Sequence, residues 1–302
     1  PTVYGVKRKV NQAAYEQEQA HFELQKNKLS LEISKTFHHI VYLQHQETAY
    51  KYLDSLYQDF SKASDRRFEL GETNYLEKIT AQAKFRQIRT KLNQLSNEKK
   101  GQYELLQALV QSEELITIKT VTLEPINNLT NTINKESYLF YFESITKSYK
   151  NKIKLENQYW LPNLNLEYFQ GRNNGISESL YGFQVGVAVP LFFSGNVAKS
   201  KVAKLDLESW EQEKQNEEQK IESYILQSKN TLAQHQQAIN YYIEHGKKLA
   251  SEILKVADMS YKHGEIDFFQ YIQSIENATT IQMEYLEALI QYNKTQLDLQ
   301  YL

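Results

Sequence analysis

Most of this chain repeats apolar residues at helical spacing. Apolar positions recur every three or four residues over 5–68, 75–113, 129–160, 196–262 and 268–302, and these five stretches predict helices. The 302 residues include only 10 Gly and 4 Pro, so few chain breakers interrupt the pattern. At 1.5 Å per residue the first helix would be about 95 Å long. Such a helix does not fit inside a compact domain.

The fourth stretch, 196–262, has the clearest seam. Its apolar or small positions step by three and four without a miss, through Ile239, Tyr242, Gly246, Leu249, Ile253, Val256 and Ser260. This spacing predicts one unbroken helix in coiled-coil packing.

Two segments between the helices have the alternation of strands. Residues 115–125 predict one short strand that ends at a proline. Residues 161–171 and 181–191 place large apolar residues at every second position, on either side of a polar loop, and predict a β-hairpin. Each run of nine to eleven residues has about the length that crosses a bilayer in a tilted barrel strand.

The apolar face of the hairpin needs a partner that shields it from water. A hairpin on a soluble core is one reading, but the helices already use their apolar stripes on one another. Two strands cannot close a barrel, and an open edge is not tolerated in lipid. Other hairpins, from further sequence or from other copies, must therefore complete the barrel.

An internal repeat relates the two halves of the chain. The segments RFELGETNYLEKI (67–79) and SYKHGEIDFFQYI (260–272) match at a constant offset of 193. Each carries a glycine after a long helix, Gly71 or Gly264, and an N-cap candidate three residues later, Asn74 or Asp267. The pattern predicts two helical hairpins, with residues 1–128 forming a first repeat that lacks its β-hairpin and 129–302 a second repeat with the hairpin at 161–191. Residues 1–5 would be the tail of a first membrane hairpin.

Composition and motifs exclude several classes of protein. The net charge is −2 and no basic stripe is present, which argues against nucleic-acid binding. The chain has no Cys, so disulfides and thiol chemistry are absent. No nucleophile-base pair, HExxH motif or phosphate loop is present. We therefore expect no enzyme activity, no cofactor and no metal site. We expect His38, His39 and His45 to be solvated histidines on a helix surface.

The order of these elements resembles a known family. A strand pair ending in PLFFSG, a very long helix, a glycine-bearing tip and a returning helix, preceded by YWLPNLNL, are similar to the TolC family of outer-membrane efflux ducts. The resemblance covers nearly the whole chain. RFELGETNYLEKITAQ and YGFQVGVAVPLFF further resemble the TolC-like component, or fused C-terminal portion, of CusA/CzcA-type heavy-metal RND systems.

The resemblance implies a mainly α fold and a location. Long antiparallel coiled-coil hairpins would form an α-barrel in the periplasm, and the transmembrane β-hairpin would contribute to a trimeric, 12-stranded β-barrel in the outer membrane. The homotrimer would passively conduct solutes, heavy-metal cations among the candidates, from an inner-membrane RND pump and a periplasmic adaptor to the exterior. The pump is either separate or fused to this chain. The alternative is a non-conducting periplasmic adaptor or helical scaffold.

The resemblance also assigns residues to three roles. The lipid-facing strand positions are Phe183, Val185, Val187 and Val189, with outer-membrane lipid as partner. The adaptor-docking tips are Gly71, Glu72, Thr73, Asn74, Gly264, Glu265, Ile266 and Asp267. The periplasmic gate aligns with Gln270 and Gln273, where family members can carry two acids, and with Glu77 in the first repeat, for which a solvated surface Glu is the alternative.

Overall fold

The computed structural model describes residues 2–119, 121–126, 135–159, 161–172, 175, 179–189 and 194–302. The helices are α1 (Thr2–Glu69), α2 (Tyr75–Leu109), α3 (Glu136–Gln158), α4 (Ser194–Tyr241), α5 (Lys247–Lys262) and α6 (Phe268–Gln300), with a π-turn (Tyr242–Gly246) between α4 and α5. The strands β1 (Asn163–Arg172) and β2 (Ser179–Ala188) form a two-stranded antiparallel sheet. Within the described ranges, none of the helices has both the length and the apolar character needed to cross a bilayer.

The predicted helices are present, with changed ends. The second ends at Leu109 instead of 113, because Gln111 takes a left-handed conformation with φ of 51° and the Ser112 amide turns back to the Gln107 carbonyl at 3.2 Å. A glutamine gives no sequence signal for this stop, which glycine usually provides. Of the predicted third helix, 129–134 and 160 lie outside the described residues.

The chain divides into two compact units. One contains residues 1–26 and 135–223, and the other contains 27–134 and 224–302. Each unit therefore combines segments of both predicted repeats. The division into repeats at 128 stays a prediction from the sequence.

In the first unit α3 packs between α1 and α4. The indole of Trp210 on α4 lies 5.9 Å from the ring of Phe142 and donates a hydrogen bond of 2.9 Å to the hydroxyl of Thr146. On the other side of α3, the Lys147 ammonium binds the Glu16 carboxylate of α1 at 2.5 Å. These contacts fix the helices from which the hairpin extends.

The second unit has two apolar clusters, and α6 contributes to both. The first contains Val41, Tyr42, Leu43, Leu95, Leu123, Ile239, Leu286, Ala288, Leu289, Ile290 and Tyr292. The second contains Leu53, Tyr57, Ala81, Ala257, Phe268, Tyr271, Ile272 and Ile275. Helix α6 is thus the central helix of this unit, in contact with α1, α2 and α5.

The strand predicted over 115–125 is wrong. The described part of this segment pairs with no other strand. The backbone of this segment is instead hydrogen-bonded to side chains of α1. The Gln44 amide donates to the Ile118 carbonyl at 3.1 Å, and His45 Nε2 lies 2.9 Å from the Val121 carbonyl oxygen. A segment whose backbone groups are satisfied by side chains needs no neighbouring strand.

One buried amide on α6 holds the end of this segment. Asn293 is fully buried; its Nδ2 donates to the Glu124 carbonyl at 2.9 Å and its Oδ1 accepts from the Ile126 amide at 3.0 Å. Both functions of the side chain are therefore used on backbone groups of this segment, residues 115–119 and 121–126, which we call the crossing segment.

The single helix predicted over 196–262 is interrupted by the π-turn. A π-turn places one extra residue in the helix, so every side chain after it is rotated by about 100° relative to an unbroken α-helix. The extra residue fits because Gly246 has no side chain: a Cβ there would lie 3.2 Å from Cγ2 of Ile281 and 3.1 Å from the ring of Tyr242. Tyr242 also stacks on Tyr285 at 3.8 Å.

This rotation makes the lower half of the predicted seam wrong. Ile239 and Gly246 are buried as predicted, but Leu249 and Val256 are 43% and 60% exposed. Their neighbours Ala250 and Ala257 are buried in their place. Below the π-turn, α5 therefore packs a small-residue seam inward and leaves a larger apolar stripe outside.

Candidate functional site

The first tip is a tight turn between α1 and α2. Gly71 has φ of 73°, and the Glu72 amide donates to the Arg67 carbonyl at 2.8 Å, which is the bond of a Schellman motif. Asn74 then caps α2 by accepting from the Glu77 amide at 2.9 Å. The predicted roles of the glycine and the cap are confirmed.

The second tip repeats this geometry between α5 and α6. Gly264 also has φ of 73°, and the Glu265 amide donates to the Ser260 carbonyl at 2.8 Å. Asp267 accepts from the Gln270 amide at 2.8 Å, and the Gln270 side chain accepts from the Asp267 amide at 3.1 Å. The second tip thus has a full capping box.

The predicted docking residues lie at these turns. Six of them are exposed and two, Thr73 and Ile266, are half-buried. Large apolar side chains adjoin the first turn and are also exposed, namely Leu70, Tyr75 and Leu76. Docking to an adaptor stays a prediction.

Glu77 contradicts the surface alternative that the sequence allows for it, while its gate role stays a prediction. It is buried, and its carboxylate accepts from Arg67 at 2.9 Å and from the Thr73 hydroxyl at 2.5 Å. The solvated surface Glu is therefore wrong, and a gate role would involve an ion pair instead of a free carboxylate. No role is predicted for Arg67 from the sequence, although a basic residue in the last helical turn is a known signal for an interaction with the C-terminal carbonyls.

Arg67 also links the two tips. Burial raises the pKa of Tyr261, which precedes the second tip, and the nearby Arg67 guanidinium opposes that shift. Tyr261 stacks on Tyr271 at 4.7 Å with the rings 11° apart, and both contact the ring of Phe60 on α1. Burial raises the pKa of Tyr271 to about 12. An aromatic cluster therefore holds the two tips together.

The predicted gate glutamines are exposed, and the side chain of each forms a hydrogen bond to a neighbouring residue of the same helix or its N-cap. Gln270 uses its side-chain oxygen in the capping box, and the Gln273 amide donates to Asn277 at 3.0 Å. Their role in a gate stays a prediction.

The hairpin has two chemically different faces. The register pairs Leu164 with Val187, Leu166 with Val185, Tyr168 with Phe183 and Gln170 with Tyr181 on one face. The opposite face pairs Asn163 with Ala188, Asn165 with Gly186, Glu167 with Gln184, Phe169 with Gly182 and Gly171 with Leu180. The predicted alternation of Phe183, Val185 and Val187 is confirmed, while their contact with lipid stays a prediction, as it does for Val189.

The apolar face changes from aliphatic to aromatic along its length. Leu166 and Val185 lie nearer the helices, and Tyr168, Phe183 and Tyr181 lie nearer the loop, with the rings of Tyr168 and Phe183 5.0 Å apart. All are exposed. An aliphatic band bordered by aromatic rings is typical of the outer surface of membrane barrels.

The three histidines of α1 that the sequence predicts to be solvated are partly shielded from solvent. His38, His39 and His45 are partly buried. His39 Nε2 lies 3.1 Å from the Glu98 carboxylate, and its Nδ1 lies 3.5 Å from the Lys294 ammonium. Burial and then Lys294 lower the pKa of His39, whereas Glu98 opposes the shift. Over the described ranges, no three His, Asp or Glu side chains are grouped so that they could hold a metal ion.

Comparisons with known proteins give fold matches only. The sequence matches no family model and no curated protein. Similar solved structures include the CmeC outer membrane channel of Campylobacter jejuni (14% identity, 98% of this chain and 66% of that chain, TM-score 0.81). Others are the open state of the MtrE outer membrane channel of Neisseria gonorrhoeae (14%, 97% and 70%, TM-score 0.80) and the outer membrane protein VceC of Vibrio cholerae (14%, 99% and 75%, TM-score 0.79).

These matches establish the fold class. The chain has the fold of outer-membrane channels, with long helical hairpins and a β-hairpin, as the resemblance to the TolC family predicts. It spans about two thirds of the CmeC chain. The heavy-metal association stays a prediction.

Proposed function

We propose that the chain forms part of an outer-membrane duct that passively conducts solutes out of the cell. The observation that carries this proposal is the exposed hairpin with one apolar face, in a chain that has the fold of outer-membrane channels. Leu164, Leu166, Val185 and Val187 would face lipid, and the opposite face would line water. The helices would lie in the periplasm, and no step of this function requires catalysis.

Single-channel recording tests the duct. The purified protein should give discrete, long-lived conductance steps in planar bilayers, whereas Val185→Arg should give few insertions because a charge would face lipid. A protein that remains soluble without detergent and adds no conductance would instead favour an adaptor or scaffold.

We propose further that the duct is a homotrimer closed by two apolar stripes of the second unit. Leu249 and Val256 form the exposed stripe of α5, and Leu76 and Ile79 are exposed on α2. Ile79 lies eight residues after Gly71, and Val256 lies eight residues before Gly264. Within the helices, Ile79 lies four residues after the start of α2 and Val256 six residues before the end of α5, so the two are about 6 and 9 Å from the tip ends of their helices. Two different stripes at one level suit a head-to-tail contact, which closes into a ring.

Cysteine cross-linking tests this contact cleanly, because the chain has no Cys of its own. The pair Ile79→Cys with Val256→Cys should give a covalent trimer on oxidation, and each single variant should stay monomeric on a denaturing gel. A monomer that becomes compact by an internal disulfide would contradict the interface.

The partners at the tips follow from the same proposal. The turns at Gly71 and Gly264 would contact the hairpin ends of a periplasmic adaptor, and an inner-membrane RND pump, separate or fused, would supply the solute. Exposed Leu70 and Tyr75 beside the first turn support such a contact, because apolar side chains at a loop end suit a helical partner. Co-purification of an adaptor by the wild-type protein, and its loss with Leu70→Asp, would test this.

A further inference from the structure

One aromatic side chain lies on the polar face of the hairpin. Phe169 shares that face with Asn165, Glu167, Gln184 and Gly182, and its side chain is 58% exposed. Leu180 is the other large apolar residue of this face, at the end beside the loop. Because the face otherwise consists of small or hydrophilic side chains, the exposed ring is not explained by contact with lipid.

The position of the ring is fixed by the glycine opposite it. Phe169 pairs with Gly182, and a Cβ added to Gly182 would lie 2.5 Å from Cζ of the ring. The ring therefore lies across the neighbouring strand in the space that a side chain would fill. The ring thus covers the glycine, while more than half of the surface of Phe169 stays exposed.

A carboxylate lies beside the open ring. Glu167 is two residues before Phe169 on the same face, so their Cα atoms are about 7 Å apart. Glu167 is exposed and has no ion-pair partner in the part of the chain that the structure describes. An open aromatic face next to a carboxylate attracts a flat organic cation, which gains stacking and cation–π contact from the ring and charge attraction from the acid.

We propose that Phe169 and Glu167 form, in each copy of the chain, one third of a luminal binding subsite for planar aromatic cations. The inference rests on the proposed duct, in which three copies place three rings and three carboxylates at one level of the lumen. It gives the duct a solute preference that a uniformly polar lumen would not have. A ring that only covers Gly182 to stabilise the hairpin is the competing role.

Block of single-channel current distinguishes the two roles. Proflavine, a planar aromatic cation, should block the wild-type channel at a lower concentration than tetraethylammonium, which has the same charge and no ring. Phe169→Leu keeps an apolar cover on Gly182 but removes the aromatic face, so proflavine block should weaken at least about fivefold while tetraethylammonium block stays the same. Phe169→Tyr should retain the proflavine block. Glu167→Gln should weaken the block by both cations, and Asn165→Ala, on the same face, should change neither.

The outcomes separate this inference from the duct itself. If Phe169→Leu channels conduct normally and proflavine blocks them as it blocks the wild type, the subsite is wrong and the duct stands. If Phe169→Leu fails to insert, the test is the proflavine block of the Glu167→Gln channel. A block equal to that of the wild type would overturn the subsite. A wild-type protein that forms no channel overturns the duct and the subsite together.

Discussion

Asn293 anchors the crossing segment, and its removal should release that segment without melting the helices. Its two hydrogen bonds, to the Glu124 carbonyl at 2.9 Å and from the Ile126 amide at 3.0 Å, are made by a side chain with no exposed surface. In Asn293→Leu two backbone groups lose their partners, one at Glu124, which is exposed, and one at Ile126, which is half-buried. Because water can replace part of these bonds, each lost bond costs about 0.5–1.5 kcal/mol, so the net loss is about 1–3 kcal/mol.

The assay is hydrogen exchange of the backbone amides in 121–126. Since 1.4 kcal/mol is a factor of ten, exchange of the protected amides should speed up by about 5- to 150-fold in Asn293→Leu. Asn293→Asp can still accept from Ile126 but repels the Glu124 carbonyl, so it should also open the segment. Gln282→Leu, at an exposed position of α6, is the matched control and should change stability by less than about 0.5 kcal/mol. Equal exchange in Asn293→Leu and the control would refute the anchoring role.

Three further predictions concern the hairpin, a tip and a buried histidine. Val185→Arg should cost about 2–4 kcal/mol near the bilayer midplane and abolish outer-membrane assembly, while Gln184→Arg on the other face should assemble normally; equal defects would reverse the facing. Gly264→Val should cost about 1 kcal/mol or more, because φ is 73°, and should abolish adaptor binding while trimers persist, as checked by co-purification and native gels. Burial, followed by Lys294, lowers the pKa of His39 below 6.5, so the folded state binds fewer protons than the unfolded state. Its contribution to stability should be complete above pH 6.5 and lost as the pH falls below it, and thermal unfolding of His39→Gln should show a weaker loss over that range.

Features that depend on local sequence could be predicted. The tips at Gly71 and Gly264 follow from a glycine after a helix and a capping residue three positions later, since a few neighbouring residues decide both signals. The hairpin faces follow from the period of two, because the register of two strands with one apolar face allows only one alignment.

Features that depend on contacts between distant parts of the chain could not be predicted from the sequence. The π-turn requires Gly246 to fit against Ile281, 35 positions later in the chain (281 − 246), and the heptad pattern alone predicts an unbroken seam. The crossing segment has the alternation of a strand, but Gln44 and Asn293 satisfy its backbone from other helices. The burial of Glu77 depends on its ion pair with Arg67 across the turn.

The proposed duct is a closed ring of three copies, so imaging of the purified protein is its most direct test. Electron microscopy in detergent should show particles with threefold symmetry and a continuous axial opening from the helical part through the barrel. The helices should meet between copies at the level of Val256 and Ile79. Monomers or dimers without an axial opening, or a ring in which Leu249 and Val256 face solvent, would contradict the account.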